Sequence, residues 1–215
     1  LKTQLLAAAA ANMPPDVRAK VTAEINDGMK LTSFIPHPDI NEFTGTQTLT
    51  FNIDVSQING VFFEIDGQPY DGTRIDRTLK LGGVDEWTLK SNLASHPFHI
   101  HVNPFQVVKI IAPDGTTDVS APGAVDNFQK DSNGNPVIDP QYPGLKGVWK
   151  DTLLVKNFAQ GQRGQYTVVI RTRYERYIGD FVLHCHILDH EDQGMMQNIR
   201  IAIPDGRGGI AASHH

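Results

Sequence analysis

Polar and apolar residues alternate along much of the chain after residue 46. Residues 48–55 alternate over their whole length, as a half-buried β-strand does. Glycine, proline, asparagine and aspartate separate further short segments of this kind. We therefore expect strands at 48–55, 61–65, 73–79, 86–90, 105–111, 152–155, 166–172, 180–185 and 197–203. Many short strands joined by turns predict an all-β fold, an antiparallel β-sandwich.

The N-terminal part has a different pattern. Residues 1–11 are rich in alanine and leucine, which favours helix. A second helix is predicted after Pro15, with Gly28 as its end. The sequence thus predicts three regions: an N-terminal linker with a helical segment at 1–45, one domain at 46–205, and a flexible tail resembling a tag remnant at 206–215.

Composition and charge bear on three properties of the protein: nucleic-acid binding, membrane insertion and disulfide formation. Hydrophobic residues make up 40% and charged residues 20% of the 215 residues, which is typical of a globular protein. The net charge of −5 gives no basic surface, so nucleic acid is not an expected partner. We also expect no membrane span, since no apolar run reaches the required length. One cysteine cannot form an internal disulfide and does not report the redox compartment.

That single cysteine, Cys185, lies between two histidines in the predicted strand 180–185. Neighbouring side chains of a strand point to opposite faces, so His184 and His186 share one face and Cys185 points to the other. Two different ligand environments therefore share one stretch of backbone.

The Cys185 face carries soft and borderline donors. A turn of helix through residues 188–192 would bring His190 and then Met195 back to the sulfur. If His96 from a second histidine-rich segment joins them, the set contains two imidazoles, one thiolate and one thioether. This is the donor set of a His₂Cys copper site with a weak axial methionine.

The opposite face carries imidazoles. His99 and His101 lie two positions apart and so share a face, which we expect to meet His184 and His186. Four imidazoles suit copper or zinc, and no carboxylate or thiolate is placed to contribute.

Two motifs in these segments carry a family resemblance. His-Pro-Phe-His-Ile-His at 96–101 and His-Cys-His-(x)₃-His-(x)₄-Met at 184–195 resemble the last cupredoxin domain of multicopper oxidases. That family includes laccases, bilirubin oxidases and bacterial cuprous oxidases. The resemblance covers residues 59–203 and implies a Greek-key, cupredoxin-like β-sandwich.

The resemblance also implies which copper each residue holds. The type-1 copper ligands would be His96, Cys185, His190 and Met195. The type-2 ligand would be His99. The type-3 pair would be held by His101, His184 and His186.

By the same resemblance, the chain belongs to a copper oxidoreductase with O₂ as acceptor. Single electrons from a small reductant would enter at the type-1 copper, past His190 or His96, and pass through Cys185 to the trinuclear cluster, where O₂ becomes water. Glu191 is similar to an acid thought in relatives to supply protons, although an acid after a helix start is also typical of a solvated face. Asp151 is expected to orient a ligand histidine by accepting its N–H.

The chain contains only part of such an enzyme. The family's trinuclear cluster takes eight histidines, four of them from this domain, and the nine histidines of the chain do not supply the rest. The missing two His-x-His pairs would come from N-terminal cupredoxin domains of the same oxidase or from a separate chain. The alternative is a stand-alone blue-copper electron-transfer protein, which would have no use for His99, His101 and His186.

Two further expectations concern substrate and location. Apart from Met195 and the adjacent Met196, the only methionines are Met13 and Met29, which favours phenols or similar small reductants over cuprous ions. Family members are mostly periplasmic or secreted, so we expect the same here.

The connection at 113–147 is much longer than the others. Connections beyond about 12–15 residues in a compact domain are usually functional or disordered. Because it leaves the strand after the first histidine motif, we predict that it lies over the rim of the type-1 site. A surface insertion is the alternative.

Overall fold

The computed structural model describes residues 2–27, 37–56, 62–158, 163–207, 209 and 211. The chain divides into two compact units, Leu1–Pro38 and Asp39–His215. The predicted end of the second helix at Gly28 and the tail residues 212–215 lie outside the described residues.

The first unit contains two helices that contact each other, α1 (Lys2–Asn12) and α2 (Pro15–Asn26). Pro15 occupies the first turn of α2, where its missing N–H has no partner to lose. Asp16 places a negative charge at the positive end of the helix dipole. Both helices agree with the pattern of the sequence.

The second unit is built from two main sheets and a small one. The strands of the larger sheet lie in the order β2 (Phe62–Ile65), β1 (Gly45–Asp54), β4 (Val84–Ser91), β11 (Thr167–Arg173), β6 (Phe105–Ile111) and β9 (Trp149–Lys150). The five-stranded sheet has the order β10 (Thr152–Val155), β5 (His96–Ile100), β12 (Gly179–Cys185), β13 (Met196–Ala202) and β3 (Arg77–Lys80). A short helix, α3 (Leu188–Asp192), joins β12 to β13.

Alternating side chains from these sheets form the core. Every second residue of β4 is buried, and Trp87 and Leu89 are fully enclosed. Phe98 of β5 packs between Phe51 and Phe105, with ring centroids 6.4 and 5.6 Å away. The predicted all-β, cupredoxin-like sandwich with helices before it is confirmed.

Two neighbouring pairs are parallel rather than antiparallel, β1 with β4 and β3 with β13. Between β1 and β4 the chain crosses to the other sheet to form β3, so it returns in the same direction. The alternation of polar and apolar residues cannot reveal this crossover, because side chains alternate with a period of two in parallel and antiparallel strands alike.

Most predicted strands are present within one or two residues, and β6 and β10 have the predicted bounds. The strand predicted at 73–79 begins only at Arg77. Asp71 accepts hydrogen bonds from the backbone and hydroxyl of Thr73, at 2.9 and 2.7 Å, and holds a turn there instead. The second unit also begins before residue 46, since the Ile40 N–H donates to Gln106 at 2.8 Å.

The long connection contains a hairpin that the sequence did not predict, β7 (Asp126–Lys130) with β8 (Pro136–Asp139). The buried Lys156 ammonium anchors it, lying 2.5 Å from Asp126 and 3.0 Å from Asp139. The same ammonium lies 3.9 and 4.7 Å from the ring centroids of Tyr142 and Tyr166. Tyr166 donates its hydroxyl to Asp126 at 2.6 Å. Lys156, the residue after β10, therefore holds the 113–147 connection against the sandwich.

Candidate metal centre

The site forms where β5 and β12 lie side by side. In this antiparallel pair His184 is opposite His99, and Cys185 is opposite Phe98. Phe98 and Cys185 are fully buried in the core. Because side chains alternate, His99 and His184 point away from the core side and meet on the other face.

On the core side, three side chains converge. The Cys185 sulfur lies 3.6 Å from Nδ1 of His96 and 3.8 Å from Nδ1 of His190. The two Nδ1 atoms are 3.1 Å apart. Two imidazole nitrogens and a sulfur within this radius could hold one metal ion.

Met195 is tied through its backbone to two of these three residues, Cys185 and His190. The Cys185 N–H donates to the Met195 carbonyl, and the Met195 N–H donates to the His190 carbonyl, both at 3.0 Å. Its side chain is fully buried. The predicted helical turn is present as α3. The chain therefore turns back towards Cys185 at the residues that the sequence predicts.

Gly194 makes this return possible. Its φ of +124° is one that side-chain-bearing residues rarely adopt, and a Cβ there would lie 2.8 Å from the Phe63 carbonyl oxygen. The Gly194 carbonyl accepts the Tyr70 N–H at 2.9 Å. The segment from β2 to Tyr70 therefore packs directly against the loop that carries His190 and Met195.

Two aromatic rings border the histidines of this cluster. Phe63 stacks on His190, with centroids 4.2 Å apart and planes 20° apart, and Phe51 lies 5.5 Å from His96. Phe63 of β2 is one residue that lies against His190. No local pattern indicates this contact, because it joins β2 to α3, which are far apart in the chain. That the 113–147 connection lies over this rim stays a prediction. His96 is fully buried and His190 is partly exposed, so His190 offers the accessible edge.

Burial sets the protonation of the metal-free cluster. It raises the pKa of the Cys185 thiol to about 11, against a smaller opposing effect of the Ile187 N–H. Burial, with a smaller contribution from the His190 charge, lowers the pKa of His96 to about 4. Near neutral pH the cluster is therefore a thiol with a neutral buried imidazole, and a metal that binds the thiolate must displace a proton.

On the other face, His99, His101 and His184 converge, with ligand atoms all within 4.8 Å of one another. Nε2 of His101 lies 3.2 Å from Nε2 of His184. His186 is exposed, and its ring centroid lies 5.3 Å from that of His99 and 5.5 Å from that of His184. All four predicted histidines are thus neighbours, three of them in closer contact.

In two of these rings, His99 and His184, the Nδ1 atom lies within hydrogen-bonding distance of oxygen atoms. Nδ1 of His99 lies 3.0 Å from the Asp151 main-chain carbonyl and 2.8 Å from the Thr152 hydroxyl. Asp151 thus contacts a histidine as predicted, through its backbone oxygen, whereas the sequence did not reveal Thr152. Nδ1 of His184 lies 2.9 Å from the Glu191 carboxylate and 3.1 Å from the Cys185 carbonyl. Glu191 therefore connects α3 to the second cluster.

This β-sandwich carries a cysteine–histidine cluster and an imidazole cluster on opposite faces of the paired strands β5 and β12, an arrangement typical of cupredoxin-type copper proteins. The family described as multicopper oxidase matches residues 36–205, and the chain belongs to that family.

The relatives agree with this assignment. The chain is 30% identical over 142 residues to a multicopper oxidase of Staphylococcus haemolyticus, covering 64% of this chain and 24% of that protein. It is 30% identical over 134 residues to a laccase of Bacillus subtilis, covering 60% of this chain and 22% of the laccase. A multicopper oxidase structure from Pediococcus acidilactici superposes with a TM-score of 0.53 at 26% identity, over 85% of this chain and 30% of that one.

The chain therefore spans about a quarter of the two sequence relatives it matches. Among the described residues, no helix has the length and apolar character needed to cross a membrane.

Proposed function

We propose that this chain is the C-terminal domain of a laccase-like multicopper oxidase. Such an enzyme takes single electrons from phenolic or other small reductants at a type-1 copper and delivers them to a trinuclear copper cluster that reduces O₂ to water. The observation that supports this most directly is that two groups, His96 with Cys185 and His190, and His99 with His101 and His184, form on opposite faces of the paired strands β5 and β12.

The donor sets of both faces fit copper. One buried thiolate with two Nδ1 atoms suits a type-1 centre, for which we propose the ligands His96, Cys185, His190 and Met195. We propose His99 as a type-2 ligand and, for the type-3 pair, His101, His184 and His186. Bound copper would supply the one-electron redox chemistry and the reduction of O₂.

The surroundings of His190 suit a small aromatic reductant. Its partly exposed ring lies against Phe63. Ile187 and Leu188 expose apolar side chains nearby in sequence, with 36% and 70% of their surfaces accessible. A phenol could contact these groups while its ring approaches the imidazole edge.

The backbone between the two faces provides the electron path. Cys185 and His184 are adjacent in β12, so the sulfur and an imidazole of the other cluster are joined by a few covalent bonds. The 3.1 Å contact from the Cys185 carbonyl to Nδ1 of His184 adds a second connection. Glu191, at 2.9 Å from that same nitrogen, is placed to hold a proton near the second cluster.

We propose that the other half of the trinuclear cluster comes from an N-terminal cupredoxin domain of the same oxidase or from a separate chain. The histidines of this chain form one open side of such a cluster. The relatives are about three to five times longer than the segment they share with this chain, which leaves room for those domains. We further propose that the enzyme acts in the periplasm or outside the cell, as its family mostly does.

The alternative is a blue-copper electron carrier without oxidase activity. The neighbouring histidines His99, His101, His184 and His186 argue against an electron carrier, because a carrier needs only one copper. Copper content separates the two, since a carrier would bind one copper per chain and stay inactive towards O₂ with any partner domain present.

The visible and electron paramagnetic resonance spectra of the copper-loaded chain test the type-1 assignment. We expect an intense thiolate-to-copper charge-transfer band that disappears in Cys185→Ser. His37→Ala, which changes a histidine outside both clusters, should keep the band. A colourless loaded chain would contradict the proposal.

A further inference from the structure

A buried amine and two carboxyl groups meet at the base of the hairpin of β7 and β8. The side chain of Lys156 is 7% exposed and that of Asp126 is 1% exposed, and Nζ of Lys156 lies 2.5 Å from Oδ2 of Asp126. The Asp139 carboxylate lies 3.0 Å from the same nitrogen. Burial of an ion pair is by itself weak evidence for a stabilising role, because removing the charges from water is costly. These three groups therefore suggest a second role besides charge pairing.

Two tyrosines enclose the amine and the carboxyl group of Asp126. Nζ of Lys156 lies 3.9 Å from the ring centroid of Tyr142 and 4.7 Å from that of Tyr166. The Tyr142 hydroxyl donates to the Leu154 carbonyl at 2.6 Å and accepts the Lys156 N–H at 3.0 Å. The Tyr166 hydroxyl donates to Oδ1 of Asp126 at 2.6 Å. Both tyrosines are fully buried, so the amine and the carboxyl group face each other in a dry, fixed environment.

We propose that Lys156 and Asp126 condense to an intramolecular amide, an isopeptide cross-link between Nζ and Cγ, with release of one water molecule. Lys156 supplies the nucleophile and Asp126 the acyl carbon. Asp139 carries a proton, and Tyr166 stabilises the oxygen that becomes negative. The reaction consumes no oxidant, reductant or co-reactant, and it is independent of the proposed oxidase function.

The first step is a proton transfer from the Lys156 ammonium to Oδ2 of Asp126 across their 2.5 Å contact. It replaces two buried charges by a neutral amine and a carboxylic acid, and burial favours the neutral forms. The lone pair of the amine then attacks Cγ, which is bonded directly to the contacted oxygen. The π electrons of the carbonyl move to Oδ1, where the hydrogen bond from Tyr166 stabilises the developing negative charge.

The second step releases the water. After the attack the nitrogen passes a second proton to Asp139, whose carboxylate lies 3.0 Å from it. Asp139 returns this proton to the hydroxyl at Oδ2, the bond between Cγ and Oδ2 breaks, and the carbonyl forms again. Both protons that the nitrogen loses thus leave with Oδ2, and Asp139 ends as the carboxylate that it was at the start.

A second ion pair of the chain lacks this burial and serves as an internal control. Lys146 lies 3.0 Å from Asp118, but half of the Lys146 side chain is exposed. Water stabilises the charged form of an exposed ammonium, which has no lone pair for attack. The pair of Lys146 and Asp118 should therefore stay an ion pair.

Mass spectrometry of the purified, denatured chain tests the proposal. We expect a mass lower than that of the sequence by one water molecule. Tryptic digestion should give peptide 110–130 joined to peptide 151–163, because trypsin does not cleave after a lysine whose amine is acylated. Cleavage after Lys146 should be normal.

Single variants identify the reacting groups. Lys156→Arg keeps the positive charge but removes the amine, so it should have the full mass of its sequence. Asp139→Asn removes the proton carrier and Tyr166→Phe removes the donor to Oδ1, and each should slow the reaction by roughly 100-fold or more and lower the cross-linked fraction. Lys146→Arg is the matched control and should keep the loss of water. Circular dichroism checks that each variant is folded.

The proposal is overturned if the folded, unmodified chain has the full mass of its sequence. It is also overturned if the lost water maps to an aspartate–glycine pair such as Asp114–Gly115, where a backbone succinimide would form with the same change in mass. A joined peptide that persists in Lys156→Arg would equally overturn it, because another amine would then be the nucleophile. None of these results affects the copper proposal, which the charge-transfer band tests separately.

Discussion

Single residues decide whether the two clusters can form, and Gly194 is one of them. It lies next to Met195, in a backbone conformation that favours glycine and against the Phe63 carbonyl. Without a residue of this kind, the loop after α3 could not turn back to pair with β12.

Gly194→Ala is therefore expected to lower the free energy of unfolding by about 1–3 kcal/mol, the usual cost of one strained backbone position, plus a steric penalty. The added Cβ would lie 2.8 Å from the Phe63 oxygen. Gly134→Ala is the control, because its φ is +83° but nothing lies within 4 Å of the added Cβ. Urea unfolding of both variants measures the difference, and equal losses would show that the contact with Phe63 is unimportant.

Glu191→Gln, made in a full-length protein that contains this domain, tests the proposed proton role. Glutamine keeps an oxygen that can accept the His184 N–H at the 2.9 Å position of the carboxylate, so the blue colour should remain. It cannot release a proton, so we expect slower O₂ reduction and a changed dependence of the rate on pH.

Steady-state oxygen uptake across a pH series measures this effect. Asp192→Asn is the control, since this exposed acid lies at the end of the same helix. Unchanged turnover in Glu191→Gln would remove the proton role and leave Glu191 as a residue that positions His184.

Individual strands explain why much of the fold and of both clusters could be predicted. In β12 the period of two is enough to separate Cys185 from His184, since alternation is a local property of extended backbone. The same period, continued one residue past the end of β5, predicts that His99 and His101 share a face, and their ring centroids are 5.0 Å apart. The sequence predicts which face a ligand side chain points to wherever alternation within its own strand decides that face.

Elements held by distant contacts could not be predicted in this way. The strand β7 is mostly polar and exposed, so it shows no alternation, and it is fixed by the buried charge of Lys156. The stacking of Phe63 on His190 joins β2 to α3, and the contact of Thr152 with His99 joins β10 to β5. Only the packing of the whole sandwich specifies such contacts.

Lys156→Ala should detach the hairpin of β7 and β8. It would leave the buried carboxylate of Asp126 uncompensated, which typically costs about 3–5 kcal/mol. Lys146→Ala is the control, because its ion pair with Asp118 is solvent-exposed on the lysine side and should contribute less than about 1 kcal/mol. Chemical denaturation compares them, and similar losses would argue against an anchoring role for Lys156.

The whole metal-free molecule should respond to pH through its buried histidine. The pKa of His96 falls from 6.5 to about 4 on folding, because burial disfavours its charged form. Below pH 6.5 the unfolded chain binds a proton that the folded chain does not bind until about pH 4, so acid favours unfolding. Between these values the free energy of unfolding should fall by about 3 kcal/mol, at about 1.4 kcal/mol per pH unit.

Urea unfolding at a series of pH values measures this loss. His96→Asn should flatten the curve in that window, and His37→Asn should not. Carboxylates such as Asp114, whose pKa is lowered to about 2 by hydrogen bonds from Thr117 and Thr116, contribute at lower pH and do not obscure the result. A slope in His96→Asn equal to that of the unchanged chain would contradict the assignment.

The parallel pairing of β3 with β13 has a consequence for biosynthesis. Strand β3 remains an unpaired edge until β13 emerges from the ribosome, because Arg77 pairs with Ile199. His190 and Met195 lie within six residues before β13. These two proposed ligands are therefore synthesised at almost the same time as the strand that pairs with β3. Pairings between such distant segments form slowly. Copper delivered during translation would therefore meet an incomplete set of the proposed ligands, and loading would be efficient only after this domain has closed.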